Sequence, residues 1–236
     1  TEYLFYIIFK LFNNKIYGLE NPCHKMFKEL FLTNNISFKA ISLDENGIVI
    51  DDLKKYDVNI AYVTPSHQFP TGAIMSISRR TELLNWANEN PDCYIVEDDY
   101  DSEFKYTGRP IPALKANDIN DKVIYLGSFS KSISPAIRVS YLVLPKALLN
   151  IYQRELPYFI CPVPTLNQKI LYRFIKDGYF VKHINKMRTL YKKKREFLVN
   201  TIKTYSSKIL NKEIQIQGAD AGLHMVIKLN QKINEK

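Results

Sequence analysis

Four side chains suited to phosphate and amine chemistry follow the apolar segment 123–126, whose composition predicts a buried strand. They are Ser128, Ser130, Lys131 and Arg138. Hydroxyl groups and backbone amides can donate hydrogen bonds to a phosphate, and an arginine can neutralise its charge. A lysine held beside them can form a Schiff base with an aldehyde. This combination indicates pyridoxal 5'-phosphate (PLP), with Lys131 as the amine.

A carboxylate that could serve the same cofactor follows another apolar segment, 94–96. The pyridine nitrogen of PLP must stay protonated for the ring to withdraw electrons, and a neighbouring carboxylate keeps it so. Asp98 fits this role, and Tyr100, two residues further on the same strand face, could hydrogen-bond the phenolic oxygen. Taken alone, the acidic run 97–103 is more typical of a solvated loop. Because each candidate group follows its own predicted strand, we favour a PLP site.

The elements that must position these groups alternate between strands and helices. Buried strands are predicted at 59–63, 94–96, 123–126 and 139–144, and helices at 1–14, 25–33 and 78–90, the last with Ser78 as N-cap and Glu82 as a capping acid. This alternation predicts a doubly wound α/β fold with a mostly parallel sheet and helices on both faces. Ligands in such sheets bind at the carboxyl ends of the strands, which is where the candidate groups lie.

The pattern changes after residue 164. Helices are predicted at 165–177, with Thr165 as its cap, and at 179–205, followed by alternating strands at 213–217 and 223–229. We therefore expect a large domain over residues 1–160 and part of a smaller α+β domain over residues 161–236.

Composition narrows the class of protein. The 236 residues carry a net charge of +9, and residues 165–236 hold 16 Lys and Arg against 5 Asp and Glu. That excess could contact nucleic acid or could be the solvated face of a long helix, and the second interpretation is favoured. No segment has the length of a membrane span, no signal peptide is predicted, and three dispersed cysteines favour reduced thiols over disulfides or a metal site. We expect a cytoplasmic protein without a metal.

Longer runs of the sequence resemble the MocR/GabR family. The runs lie at 62–72, 96–104 and 126–135, with shorter ones at 20–22 and 221–224. Members of this family are bacterial transcriptional regulators in which a winged helix-turn-helix of the GntR type is fused to an aminotransferase-like domain of PLP fold type I. The resemblance covers essentially the whole chain.

The resemblance assigns roles to individual residues. It implies that Lys131 forms the internal aldimine, that Asp98 contacts the pyridine nitrogen and that Tyr100 contacts the phenolic oxygen. The phosphate ligands would be Ser128, Ser130 and Arg138, with His67 and Gln68 beside the ring. Where the family has Gly-Tyr after Asn-Pro, this chain has Cys23-His24, so His24 would take the place of the tyrosine that stacks on the cofactor.

The resemblance also implies partners outside the segment 1–236. These are a second copy in a homodimer, a small amino-group effector, and DNA bound through a winged helix-turn-helix upstream. Part of the phosphate cradle and an arginine that clamps a carboxylate would also lie outside it. Two alternatives stay open, namely a working class I/II aminotransferase and a PLP-free ligand-binding or dimerisation module.

Overall fold

A seven-stranded sheet is the centre of the computed structural model, which describes residues 2–108, 111–206 and 214–229. Its strands are Tyr17–Asn21 (β1), Phe38–Asp44 (β2), Gly47–Ile48 (β3), Ile60–Val63 (β4), Tyr94–Asp99 (β5), Val123–Ser128 (β6) and Ser140–Val143 (β7). Their order is β3-β2-β1-β4-β5-β6-β7. Strands β2, β1, β4, β5 and β6 are mutually parallel, whereas β3 and β7 pair antiparallel at the two edges.

Helices pack on both faces of this sheet. The α-helices of the described residues are Glu2–Leu11 (α1), Lys25–Thr33 (α2), Ile50–Lys55 (α3), Ile77–Glu89 (α4), Phe129–Ser132 (α5), Lys146–Glu155 (α6), Thr165–Lys176 (α7) and Tyr179–Tyr205 (α8). Successive strand residues point to opposite faces, so Ala61 and Val63 contribute to the core beneath α3 and α4. Ile60 and Tyr62 contribute to the core beneath α1 and α2. The predicted α/β class with a mostly parallel sheet is confirmed.

The acidic run after residue 96 differs from a solvated loop. Strand β5 continues through Asp99, and Glu97, Asp98 and Asp99 are all buried. Their polar atoms find partners within the fold. Glu97, for example, accepts hydrogen bonds from the backbone amides of Leu114 and Lys115 at 2.8 and 3.0 Å. Such partners offset the free-energy cost of burying carboxyl groups. The local sequence pattern cannot show them, because they come from other segments of the chain.

Three predicted capping residues, Ser78, Glu82 and Thr165, are wrong. Helix α4 is capped by Ser76, whose hydroxyl accepts from the Arg79 amide at 3.2 Å, and not by Ser78. Glu82 binds the Arg79 side chain at 2.9 Å instead of capping the helix. Thr165 is the first residue of α7, with Pro164 at its N-cap position. Helices α3 and α6 have no counterpart among the predicted elements.

A two-stranded hairpin, Ile214–Gln217 (β8) and Val226–Leu229 (β9), forms a separate small sheet. The connection between its strands packs on the large sheet's loops so closely that a Cβ on Gly218 would lie 2.7 Å from the Gly72 Cα. The Gly222 amide donates to the Phe104 carbonyl at 2.7 Å, and the Tyr106 hydroxyl donates to the Gly222 carbonyl at 2.9 Å. The division at residue 160 stays a prediction.

Among the helices that the structure describes, none is long and apolar enough to cross a membrane.

Candidate functional site

A cavity of about 480 Å³ opens at the carboxyl ends of β1, β4, β5 and β6. Seven of the predicted site residues line it, namely His24, Asp98, Tyr100, Ser128, Ser130, Lys131 and Arg138. Parallel strands bring these side chains together although up to 114 positions separate them, from residue 24 to residue 138. His67 and Gln68 are buried behind the lining and are not part of it.

One end of the cavity carries the lysine and the hydroxyl groups. Ser128 ends β6 and caps the short helix α5, since its Oγ accepts from the Ser130 amide at 3.2 Å. Lys131 lies in that helix and is exposed. Arg138 ends the following short turn in a left-handed backbone conformation, with φ 49°. This end therefore presents an amine, two hydroxyls and a guanidinium, a donor set that fits a phosphate and an aldehyde.

Strand β5 adds a buried carboxyl group to the cavity lining. Asp98 is 5% exposed, and its Oδ2 accepts a hydrogen bond of 2.6 Å from the Tyr62 hydroxyl on β4. Burial raises the pKa of Asp98 to about 6, and the Tyr62 hydrogen bond opposes this rise by favouring the charged form. A cationic group brought against Asp98 would favour the carboxylate further. The site therefore offers a protonated ring nitrogen its counter-ion, and Tyr62, not among the predicted site residues, orients it.

Tyr100 has a hydrogen-bond partner within the protein, and its contact with the phenolic oxygen of the cofactor stays a prediction. It lies one residue beyond β5, and its hydroxyl donates to the His67 carbonyl at 2.5 Å. A tyrosine hydroxyl has a single proton to donate. Donation to a cofactor oxygen would therefore require Tyr100 to leave the His67 carbonyl. His67 is in this way connected to the site through its backbone.

Glu20 is a buried carboxyl of the cavity that was not predicted as a site residue. Its Oε2 accepts from the amide and the hydroxyl of Thr64, at 3.2 and 2.6 Å, and from Gln68 Nε2 at 3.3 Å. Burial raises the pKa of Glu20 to about 7, and these hydrogen bonds oppose the rise. Gln68 also donates to the carbonyls of Pro22 and Phe69, so it joins the loops after β1 and β4.

We expect the free energy of unfolding to fall as the pH rises from 5 to 8. Glu20 and Glu97 both have folded-state pKa values raised to about 7, so the folded protein binds their protons more tightly than the unfolded chain does. The stability that these two protonated carboxyl groups contribute is fully present below their pKa in the unfolded chain. It is lost as the pH rises through their pKa in the folded protein. For Glu20 it amounts to roughly 3 kcal/mol.

Chemical denaturation at pH 5 and pH 8 measures this dependence. Glu20→Gln should show a shallower decline because the amide does not titrate. Glu29→Gln, an exposed site on α2, serves as the matched control and should decline like the parent protein. An equal decline of the unfolding free energy with pH in the parent protein and in Glu20→Gln would contradict the raised pKa of Glu20.

His67, Asp101 and His224 form a polar cluster next to the cavity, and Asp101 and His224 also line it. His67 Nδ1 lies 3.0 Å from Asp101 Oδ2, and His67 Nε2 lies 3.1 Å from the Gly218 carbonyl oxygen. Each of the three offers an atom within 4.8 Å of the others, a spacing that a metal ion could use. Both ring nitrogens of His67, however, already face protein acceptors. The cluster's contacts therefore fit a link between the hairpin connection and the large sheet.

His24 stands at the position of the predicted stacking residue. It caps α2 through Nδ1, which accepts from the Met26 amide at 3.1 Å. Its ring packs against Phe69 with a centroid separation of 4.9 Å and an interplanar angle of 35°. His24 thus lines the cavity with its ring held on one side by Phe69.

Known proteins share both the sequence and the fold of this chain. It is 40% identical to the uncharacterized HTH-type transcriptional regulator YdeL of Bacillus subtilis, over 93% of this chain and 46% of that protein. It is 30% identical to the probable rhizopine catabolism regulatory protein MocR of Rhizobium meliloti, over 92% of this chain and 43% of that protein. The chain thus spans less than half the length of these relatives. The resemblance to MocR-type regulators is confirmed.

Solved structures of enzymes have the same architecture. The kynurenine aminotransferase of Pyrococcus horikoshii, solved in complex with PMP, superposes with a TM-score of 0.82 at 27% identity, over 98% of this chain and 59% of that one. The family model for aminotransferase class I and II matches residues 6–235. By its sequence and its fold, this chain belongs to the aminotransferase class I and II family.

Proposed function

We propose that this chain is the PLP-binding, effector-sensing domain of a MocR-type transcriptional regulator. One observation carries the proposal. A single cavity brings the exposed amine of Lys131, the hydroxyls of Ser128 and Ser130, and the buried carboxyl of Asp98 together at the carboxyl ends of the strands. This donor set matches the three chemically distinct parts of PLP, which are the aldehyde, the phosphate and the pyridine nitrogen.

Each residue would have a separate task. Ser128, Ser130 and Arg138 would bind the phosphate, and Asp98, oriented by Tyr62, would hold the proton on the pyridine nitrogen. PLP supplies an aldehyde carbon that forms an imine with a primary amine. Lys131 would occupy that carbon until a ligand amine displaces it. In that exchange one C=N bond would replace another, and the two hydrogens that the ligand's NH2 group gives up would leave Lys131 as a free amine.

Sensing is favoured over turnover by the relatives. The names of YdeL and MocR describe HTH-type or regulatory proteins. In a regulator of that kind, exchange of Lys131 for an effector amine would change the conformation of this domain. That change would in turn alter the conformation of an attached DNA-binding domain. A homodimer, a DNA-binding domain outside this chain and a cytoplasmic location remain part of the proposal on the same basis.

The second candidate function is a working aminotransferase. It is supported by the likeness to the Pyrococcus horikoshii enzyme and by the presence of Lys131 and Asp98 in one cavity. In that case Lys131, once displaced, would also act as a proton carrier at the reacting carbon.

Absorbance spectroscopy with product analysis distinguishes these functions. The protein mixed with PLP should show the visible absorbance of a protein-bound imine, and a panel of primary amines should shift this band. A sensor shifts its band without releasing a carbonyl product, whereas an aminotransferase releases the 2-oxo acid or aldehyde of the amine. A protein that shows no imine absorbance at saturating PLP would contradict both candidates.

A further inference from the structure

Three aromatic rings line the cavity in a row, and a fourth ring, that of His67, packs behind them. Phe69 stands between His24 and His224, with ring-centroid separations of 4.9 and 5.2 Å. The row continues from His224 to His67, whose rings are 4.1 Å apart at an interplanar angle of 38°. His24, Phe69 and His224 line the cavity directly. These three are called the aromatic wall below.

The wall is fixed at its far end by hydrogen bonds of the hairpin connection. Asp101 Oδ2 lies 3.0 Å from His67 Nδ1 and accepts from the Leu223 amide at 3.0 Å. His67 Nε2 lies 3.1 Å from the Gly218 carbonyl oxygen. The hairpin connection is thus hydrogen-bonded to His67 at Gly218 and to Asp101 at Leu223. These two attachments fix the backbone next to His224 and so position its ring against Phe69. A binding surface on it would be preorganised, which lowers the entropic cost of binding.

Apolar side chains form part of the cavity lining beside the wall. Met26, Phe27 and Leu223 line the cavity next to it. Burial lowers the pKa of His224, and the neighbouring His67 adds to this effect. Among the lining residues that the structure describes, the lysines and arginines are Lys131 and Arg138, which the proposed function already assigns to the cofactor.

We propose that the effector is a primary amine with an aromatic or similarly flat apolar side chain, which packs against Phe69 and His224. This inference rests on the proposed function, since the amine of the effector is the group that displaces Lys131. Offset and edge-to-face contacts between rings add to the gain from burying the side chain itself. Small amines and amines with a charged tail leave the wall without a partner.

Competition among matched amines tests this effector class. The probes are 2-phenylethylamine against ethylamine, L-phenylalanine against L-alanine, and 4-aminobutanoate as an amine with a charged tail. Each is titrated into the PLP-loaded protein, and the shift of the imine absorbance gives its apparent affinity. We expect the aromatic member of each pair to bind at least about tenfold more tightly, as the burial of one ring against two others suggests.

Variants locate the preference on the wall. Phe69→Leu and His224→Leu keep apolar bulk but remove a ring, so each should reduce the aromatic preference to about threefold or less while the imine absorbance with PLP persists. Phe197→Leu, at an exposed position on α8, is the control and should keep the full preference. A PLP-loaded protein that prefers ethylamine, L-alanine or 4-aminobutanoate would overturn this inference alone, as would an unchanged preference in both wall variants. Absence of imine absorbance would overturn the proposed function as well.

Discussion

Lys131→Ala should abolish the imine absorbance of the protein with PLP and the response to any amine. Lys131 is the one lysine lining the cavity among the described residues, so the described lining offers no second lysine to the aldehyde. The fold should not change. Lys131 is exposed, and truncation of an exposed side chain alters the free energy of unfolding by less than about 0.5 kcal/mol.

Lys146→Ala is the matched control for this experiment. Lys146 begins α6, is exposed and lies away from the cavity, so its variant should keep both the absorbance and the stability of the parent. Unchanged imine absorbance in Lys131→Ala would show that another lysine reacts and would contradict the assigned site.

Gly222→Ala should be among the most destabilising single changes in this chain. A Cβ at this position would lie 1.9 Å from His67 Nδ1 and 2.3 Å from Asp101 Oδ2, and the residue has φ +65°. The methyl group would have to separate the His67–Asp101 pair and strain the backbone at the same time. We expect a loss of at least about 3 kcal/mol of unfolding free energy, because overpacking and left-handed strain add.

Gly178→Ala separates the two effects. Gly178 also has a positive φ, +78°, but a Cβ there meets nothing within 4 Å. Its variant should therefore lose only the cost of the left-handed conformation, about 1 kcal/mol. Chemical denaturation of both variants measures the difference. Equal losses at the two glycines would contradict the tight packing of the hairpin connection on His67 and Asp101.

The parts of the fold that the sequence predicted are those set by local pattern. Helix α2 and helix α8 have the predicted bounds, and the apolar cores of β4, β5 and β6 were found because buried parallel strands are continuous apolar runs. The pattern failed where partners lie far away in sequence. Strand β5 extends over an acidic run because amides and hydroxyls from other segments satisfy its carboxyl groups.

The residues of the candidate site also fall into those that local sequence pattern predicts and those that depend on distant partners. Lys131, Asp98 and Ser128 each follow an apolar strand, so their place at one sheet edge could be inferred from the order of elements alone. The roles of Glu20 and Tyr62 could not, since their partners Thr64 and Asp98 are 44 and 36 residues away. The link from His67 to the Gly218 carbonyl spans 151 residues and depends on how the hairpin packs, which no local spacing encodes.

Chemical trapping tests the central claim, that Lys131 is the amine that holds the cofactor. The protein is incubated with PLP, the imine is reduced with borohydride, and the labelled peptide is identified by mass spectrometry. We expect one phosphopyridoxyl group per chain, on Lys131, and its loss when an aromatic amine is added before reduction. No label, or label distributed over the surface lysines of α8 with Lys131 unmodified, would contradict it.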